Sequence, residues 1–225
     1  MLREKDTGEK KVSYPIREES LGTSKADAFF EASAEYAGKV PGAYNVKDYE
    51  ALPDDIRVEL IDGVFYDMGA PSAIHQMIIG ELFVRFTEYI RRRKGDCRVF
   101  LSPFDVRLDQ DDHTIVEPDL SVFCSRNKVR HNGAFGAPDL VVEVLSPSTR
   151  HKDIEIKSIK YENAGVREYW MIDSDNRRVI VYPFEGDGYP RFYSFESKVP
   201  VGIWDGNFEI DFAEIAEALS WLPES

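Results

Sequence analysis

The sequence predicts an α/β (α+β) protein in which a mixed central β-sheet lies between helices, with further β elements at both ends. Three observations carry this. A 3.6-residue apolar stripe after Pro71-Ser72 marks a long amphipathic helix. A run apolar except for Glu143, Leu140–Leu145, suits a central strand covered on both faces. A second helical stretch then leads into another strand, Val166–Asp173.

Each element has its own local signal. Residues 1–43 mix charge with Ser, Gly and Ala and read as an extension, flexible or loosely docked, with one candidate helix at Ala26–Tyr36. Residues 44–225 read as one domain. Val46–Leu52 is a short helix ended by Pro53, and Val58–Ile61, Asp62-Gly63 and Val64–Met68 form a hairpin with a type I′ turn. Ser72 caps the long helix, whose stripe is Ile74, Met77, Ile78, Leu82, Phe86, Tyr89 and Ile90. Arg91 to Lys94 fill its last turn, favourably for the helix dipole, and Gly95 stops it. Strands are expected at Arg98–Arg107, Thr114–Cys124 and Asp139–Ser146, the last ended by Pro147. Ser148-Thr149 cap a second helix that Gly165 closes. Beyond Val166–Asp173 come strands at Arg178–Pro183, Arg191–Phe195 and Phe208–Ile210, and a terminal helix at Phe212–Leu222.

Composition narrows the function. The chain has 225 residues, 43% of them apolar, enough for a sizeable core, with a net charge of -13. That charge argues against broad binding of nucleic acid through a basic surface. Locally the balance reverses, because seven basic residues between Cys124 and Lys160 face four acids. No apolar run reaches the ~20 residues of a membrane helix, and Met1–Lys11 lacks the apolar core of a signal peptide. Cys97 and Cys124 read as two reduced, buried thiols, which with the missing signal suggests the cytoplasm.

The chemistry concentrates on carboxylates. Glu117-Pro118-Asp119 and Glu143 lie on two expected strands, and if these are neighbours Asp119 and Glu143 converge. A carboxylate inside an apolar strand must be paired, since burial of an unpaired charge is costly. Two readings stand side by side: a buried ion pair with Arg or Lys, or a carboxylate pair holding a hard divalent cation such as Mg²⁺. On the following helix Asp153, Lys157 and Tyr161 share one face at i, i+4 and i+8. The helix begins close after Glu143, so its first turns come near the carboxylates. No Gly-x-Ser-x-Gly elbow, Walker A loop or dinucleotide fingerprint is present.

These segments resemble the Uma2 family. The resemblance rests on Glu59-Leu60-Ile61-Asp62-Gly63, on Ala70-Pro71-Ser72 with His75, and on Glu117-Pro118-Asp119-Leu120. It continues through Pro138–Thr149, with its Val-Glu-Val-Leu-Ser-Pro-Ser-Thr run, and through Asp153, Lys157, Tyr161 and Ala164–Trp170. It spans roughly Tyr44 to Tyr182. It implies a restriction-endonuclease-like core of the PD-(D/E)XK nuclease superfamily. Asp119 then matches the motif aspartate and Glu143 the acidic residue of the (D/E)-x-K element. Leu145 stands where the motif lysine is expected, so the resemblance shifts that role to Lys157, with Lys152 and Lys160 as weaker candidates.

The implied activity is metal-dependent endonucleolytic hydrolysis of DNA phosphodiester bonds. Mg²⁺ or Mn²⁺ would be held by Asp119, Glu143, the backbone carbonyl of Val144 and Glu59, with Lys157 steadying phosphate charge. His75, Asp153 and Tyr161 would stand behind these groups, or His75 would contact phosphate. A homodimer fits the need to cut two strands. The alternatives are a catalytically silent binding or structural module on the same fold, and a metal-dependent hydrolase of a small phosphoester.

Overall fold

The computed structural model describes residues 39–223 except 54, 109–111, 148 and 187. The expected helix at Ala26–Tyr36 and the cap residue Ser148 lie outside these residues. In chain order, helix α1 (Val46–Glu50) precedes strands β1 (Val58–Ile61) and β2 (Val64–Asp67) and helix α2 (Ala73–Arg92). Strands β3 (Arg98–Leu101), β4 (Val106–Arg107), β5 (Ile115–Val116), β6 (Leu120–Phe123), β7 (Val129–Arg130), β8 (Gly133–Phe135) and β9 (Leu140–Val144) follow. Next comes a helical segment that is π-helical over Lys152–Lys157 and continues as α3 (Ser158–Ala164). Strands β10 (Glu168–Asp173), β11 (Arg178–Pro183), β12 (Arg191–Ser194), β13 (Lys198–Pro200) and β14 (Glu209–Asp211) lead to helix α4 (Phe212–Leu219).

The chain divides into two compact units. The smaller holds the described residues up to Gly69 and those of 111–115. Its core is Tyr44, Val46, Val58, Leu60, Phe65 and Ile115. Asn45 and Asp48 close a capping box at the start of α1, so two backbone donors are satisfied reciprocally. The β1–β2 hairpin turns at Asp62 and Gly63, with φ of 50° and 73°, the two left-handed residues a type I′ turn requires.

The larger unit is built on a six-stranded sheet, ordered β12-β11-β10-β9-β6-β3. Only β9 and β10 run parallel, so the sheet is mixed as expected, and the helical segment between them is their crossover. All five residues of β9 are buried, which accounts for its nearly continuous apolar run. Alternation sends Leu140, Val142 and Val144 into one core with Leu120, Val122, Trp170 and the Ile78, Leu82, Phe86 and Ile90 stripe of α2. Val141 and Glu143 therefore project from the other face. Also in this unit, β8 pairs parallel with β4 and antiparallel with β7.

Some boundaries differ for physical reasons. The expected strand at Arg98–Arg107 splits at Pro103, and that at Thr114–Cys124 splits at Pro118, because proline offers no N–H to a ladder. Helix α2 ends at Arg92, and its left-handed stop is Lys94 (φ 51°) rather than Gly95. Cys97 and Cys124 are not separate thiols. The antiparallel register Arg98↔Phe123 sets them opposite each other, and they form a disulfide with Cα atoms 3.8 Å apart. The reduced-thiol ground for expecting the cytoplasm goes with it. No helix among the described residues is long and apolar enough to cross a membrane.

Two buried carboxylates fasten the larger unit. Glu168 accepts hydrogen bonds from the Trp170 indole N–H (2.7 Å) and the Ile203 backbone N–H (2.8 Å). Burial raises its pKa despite these donors. Glu168→Ala would strand both donors, and the expected loss is about 1–3 kcal/mol for each, read by urea unfolding. Asp173 receives both guanidinium arms of Arg150 at 2.8 Å and two hydrogen bonds from Asn176. Burial alone would raise its pKa, but these donors outweigh it and hold the carboxyl below the usual aspartate value. Its contribution is thus full above the unfolded aspartate pKa of about 4 and lost as pH falls through the depressed folded value. Asp173→Asn is expected to flatten the acid limb of a stability–pH profile.

Candidate active site

The site forms where β6 begins and β9 ends. The antiparallel register Leu120↔Val142 continues one step outward, so Asp119 and Glu143 become neighbours. Their side chains interlock with the opposite backbones. The Asp119 N–H faces Glu143 Oε2 at 3.4 Å, and the Val144 N–H donates to Asp119 Oδ2 at 2.7 Å. Asp119 Oδ2 also accepts from His75 Nε2 at 2.9 Å. Ser72 accepts the backbone N–H of His75, so the cap of α2 fixes the turn that carries this imidazole. Ser102, after β3, braces the segment from the other side, its N–H donating to the Asp119 carbonyl and its hydroxyl to Glu117.

Glu143 is held from the helical segment. Its Oε1 accepts the Lys157 ammonium at 2.7 Å and the Tyr161 hydroxyl at 2.7 Å. Lys157 also lies 3.6 Å from Asp153. Glu143, Lys157 and Asp153 are each 3% exposed and Tyr161 is fully buried, so the charges are kept in the interior by one another. Asp153 and Lys157 sit on the π-helical turn, a geometry that recurs at functional sites.

The structure thus brings together seven of the residues singled out from sequence: Asp119, Glu143, Val144, His75, Lys157, Tyr161 and Asp153. Glu59 is buried in β1 of the smaller unit, paired across the hairpin with Tyr66. The buried ion pair foreseen for Glu143 is present, with the Lys157 ammonium on Oε1 as its partner. Lys152 is buried on the same turn. Lys160 is half-buried on α3. His131 and His151 are exposed, and His113 is half-buried and bonds the Tyr44 carbonyl.

One supporting residue was not legible as such. Tyr169 of β10 donates its hydroxyl to the Asp153 carbonyl (3.1 Å) and packs edge-on against Tyr161. Burial, reinforced by the charges of Asp153 and Glu143, pushes its phenol well above the ordinary value, so it stays a donor. Its neighbourhood to the helix follows from the parallel β9–β10 pairing, which a linear sequence does not display.

The donor set suits a hard divalent cation. Such ions take carboxylate and carbonyl oxygens, and Mg²⁺ commonly uses one or two carboxylates and keeps several waters. Asp119 Oδ1 takes part in no hydrogen bond among the described residues, and His75 Nδ1 is buried there without a partner. No trio of His, Cys, Asp and Glu side chains among the described residues encloses a metal by itself, as an all-protein cage would.

Residues 46–199 match the model of the Uma2 family, described as "Putative restriction endonuclease". An uncharacterised protein of Synechocystis sp. is 31% identical over 132 residues, 58% of this chain and 67% of the relative. The crystal structure of a protein from Anabaena variabilis, described as a putative nuclease belonging to DUF820, superposes with a TM-score of 0.65. At 23% identity the match covers 78% of this chain and 98% of that one, and it shows a shared fold.

Proposed function

The chain belongs to the Uma2 family, and from that premise we propose that it is a metal-dependent endonuclease hydrolysing DNA phosphodiester bonds. The observation that carries the reading is the interlocked pair Asp119–Glu143, backed by a lysine at 2.7 Å. Asp119, Glu143 and the carbonyl of Val144 would hold Mg²⁺ or Mn²⁺. A divalent cation bound there supplies a water of lowered pKa and polarises the phosphate. The protein's own part is to set the stage. Val144 N–H and His75 fix the Asp119 rotamer through Oδ2 and leave Oδ1 to face the ligand. Tyr161 and Lys157 fix Glu143 through Oε1, and the lysine offsets the negative charge that accumulates at the site. In this chain the helix lysine takes over from the motif position occupied by Leu145. Cutting both strands of a duplex would take two such sites, so the proposal includes a homodimer.

The test is cleavage by the purified full chain of plasmid, single-stranded DNA and a small phosphodiester, in EDTA, Mg²⁺ and Mn²⁺. Cleavage of DNA that appears only with the divalent ion is expected. Cleavage of the small diester alone would reassign the protein to small-phosphoester hydrolysis. No cleavage of any substrate would make it a silent member of the fold.

A further inference from the structure

We propose that a basic patch at the far end of α2 is a second nucleic-acid contact, gripping the phosphate backbone roughly seven base pairs from the carboxylates. The proposal rests on the nuclease reading only for the identity of the near end. Arg91, Arg92, Arg93 and Lys94 are all exposed where α2 ends. Arg91, Arg93 and Lys94 form no ion pair among the described residues; the Arg93 guanidinium lies 5.9 Å from the Tyr89 ring. Arg98, at the start of β3, is exposed and anchored by the carbonyls of Gly95, Asp96 and Cys97. Arg126, from the turn after β6, reaches Asp96 at 3.4 Å. Six cations thus meet two acids, Glu88 and Asp96, in a chain whose net charge is -13.

Two segments distant in sequence build this patch, and the Cys97–Cys124 bond joins them next to Arg98 and Arg126. The patch is therefore a fixed surface rather than a loose basic tail. The carboxylates lie by the first turn of α2 and the patch by its last. The structure separates them. His75, which touches Asp119, and Arg91 are sixteen positions apart on one helix, and at 1.5 Å per residue that is about 24 Å. Strand β6 (Leu120–Phe123) leads from Asp119 towards Arg126, and seven extended steps at ~3.3 Å each set an upper bound of about 23 Å on that separation. Phosphates repeat every ~3.4 Å along one strand, so a ligand touching both ends spans about seven steps. A mononucleotide or small diester cannot do so.

The experiment is fluorescence anisotropy in EDTA, where no cleavage is needed, with labelled duplexes of about 5, 10 and 20 base pairs and matching single strands. The variants are R91E/R93E/R126E and, as an equal charge change elsewhere, R177E/R178E/K198E. A thermal melt of each variant checks that it is folded at the temperature of the binding measurement. Wild type is expected to bind the two longer duplexes at least about tenfold more tightly than the shortest. The patch variant should lose that gain, and its log K against log salt slope should fall by about 2.7, or ~0.9 per phosphate contact. The control variant should keep the length dependence. Equal affinity for all lengths, or an unchanged slope in the patch variant, overturns the proposal. So does binding to phosphatidylserine vesicles without binding to duplex. Duplex binding through the patch with no cleavage under any metal would support this inference while removing the nuclease reading. Metal-dependent cleavage unaffected by the patch variant at every length would do the reverse.

Discussion

Asp119→Asn is expected to lower metal-dependent cleavage by about 10³-fold, equivalent to ~4 kcal/mol of transition-state stabilisation, while leaving the melting temperature close to wild type. Asparagine keeps an acceptor for the Val144 N–H and for His75, the two groups that hold Asp119 Oδ2. It removes the charge a cation needs. Asp119→Ala would also stop cleavage, but it leaves those donors without an acceptor and confounds activity with stability. A first-order rate with saturating Mn²⁺, beside a thermal melt, separates the two effects. An asparagine variant that cleaves at the wild-type rate removes Asp119 from the chemistry.

Lys157→Met is expected to cost about 3–5 kcal/mol of unfolding free energy, because it removes the ammonium 2.7 Å from the buried Glu143 carboxylate. Burial of both partners places the pair outside the range of weak surface ion pairs. The double variant Lys157→Met/Glu143→Gln removes both charges and keeps similar volumes, so it should regain part of that loss. It should remain inactive, since Glu143 is also a proposed metal ligand. Urea unfolding of the two single variants and the double gives the coupling energy directly. A Lys157→Met protein as stable as wild type would show that the pair does not hold the site together.

Much of this was legible because the signals are local. The long stripe of α2, the run of β9, the Asp62-Gly63 turn and the Gly165 stop each depend on residues a few positions apart. Asp119 and Glu143 were legible as partners because two adjacent strands carry them. What stayed hidden depends on long-range register. The Cys97–Cys124 bond appears only once β3 and β6 pair, and the Tyr169 hydroxyl finds Asp153 only once β10 lies beside β9. The π-helical turn at Lys152–Lys157 was read as ordinary helix, since 4- and 5-residue spacings are hard to separate over so short a span. Strands β7 and β8 are two and three residues long, too short for alternation to register.

The central claim is that Asp119 and Glu143 together bind a divalent cation. Calorimetric titration of the apo protein with Mn²⁺, in wild type and in Asp119→Asn and Glu143→Gln, tests it without relying on any substrate. Saturable binding in wild type that both variants lose is the predicted result. No saturable binding in wild type, or binding that survives both substitutions, would contradict it.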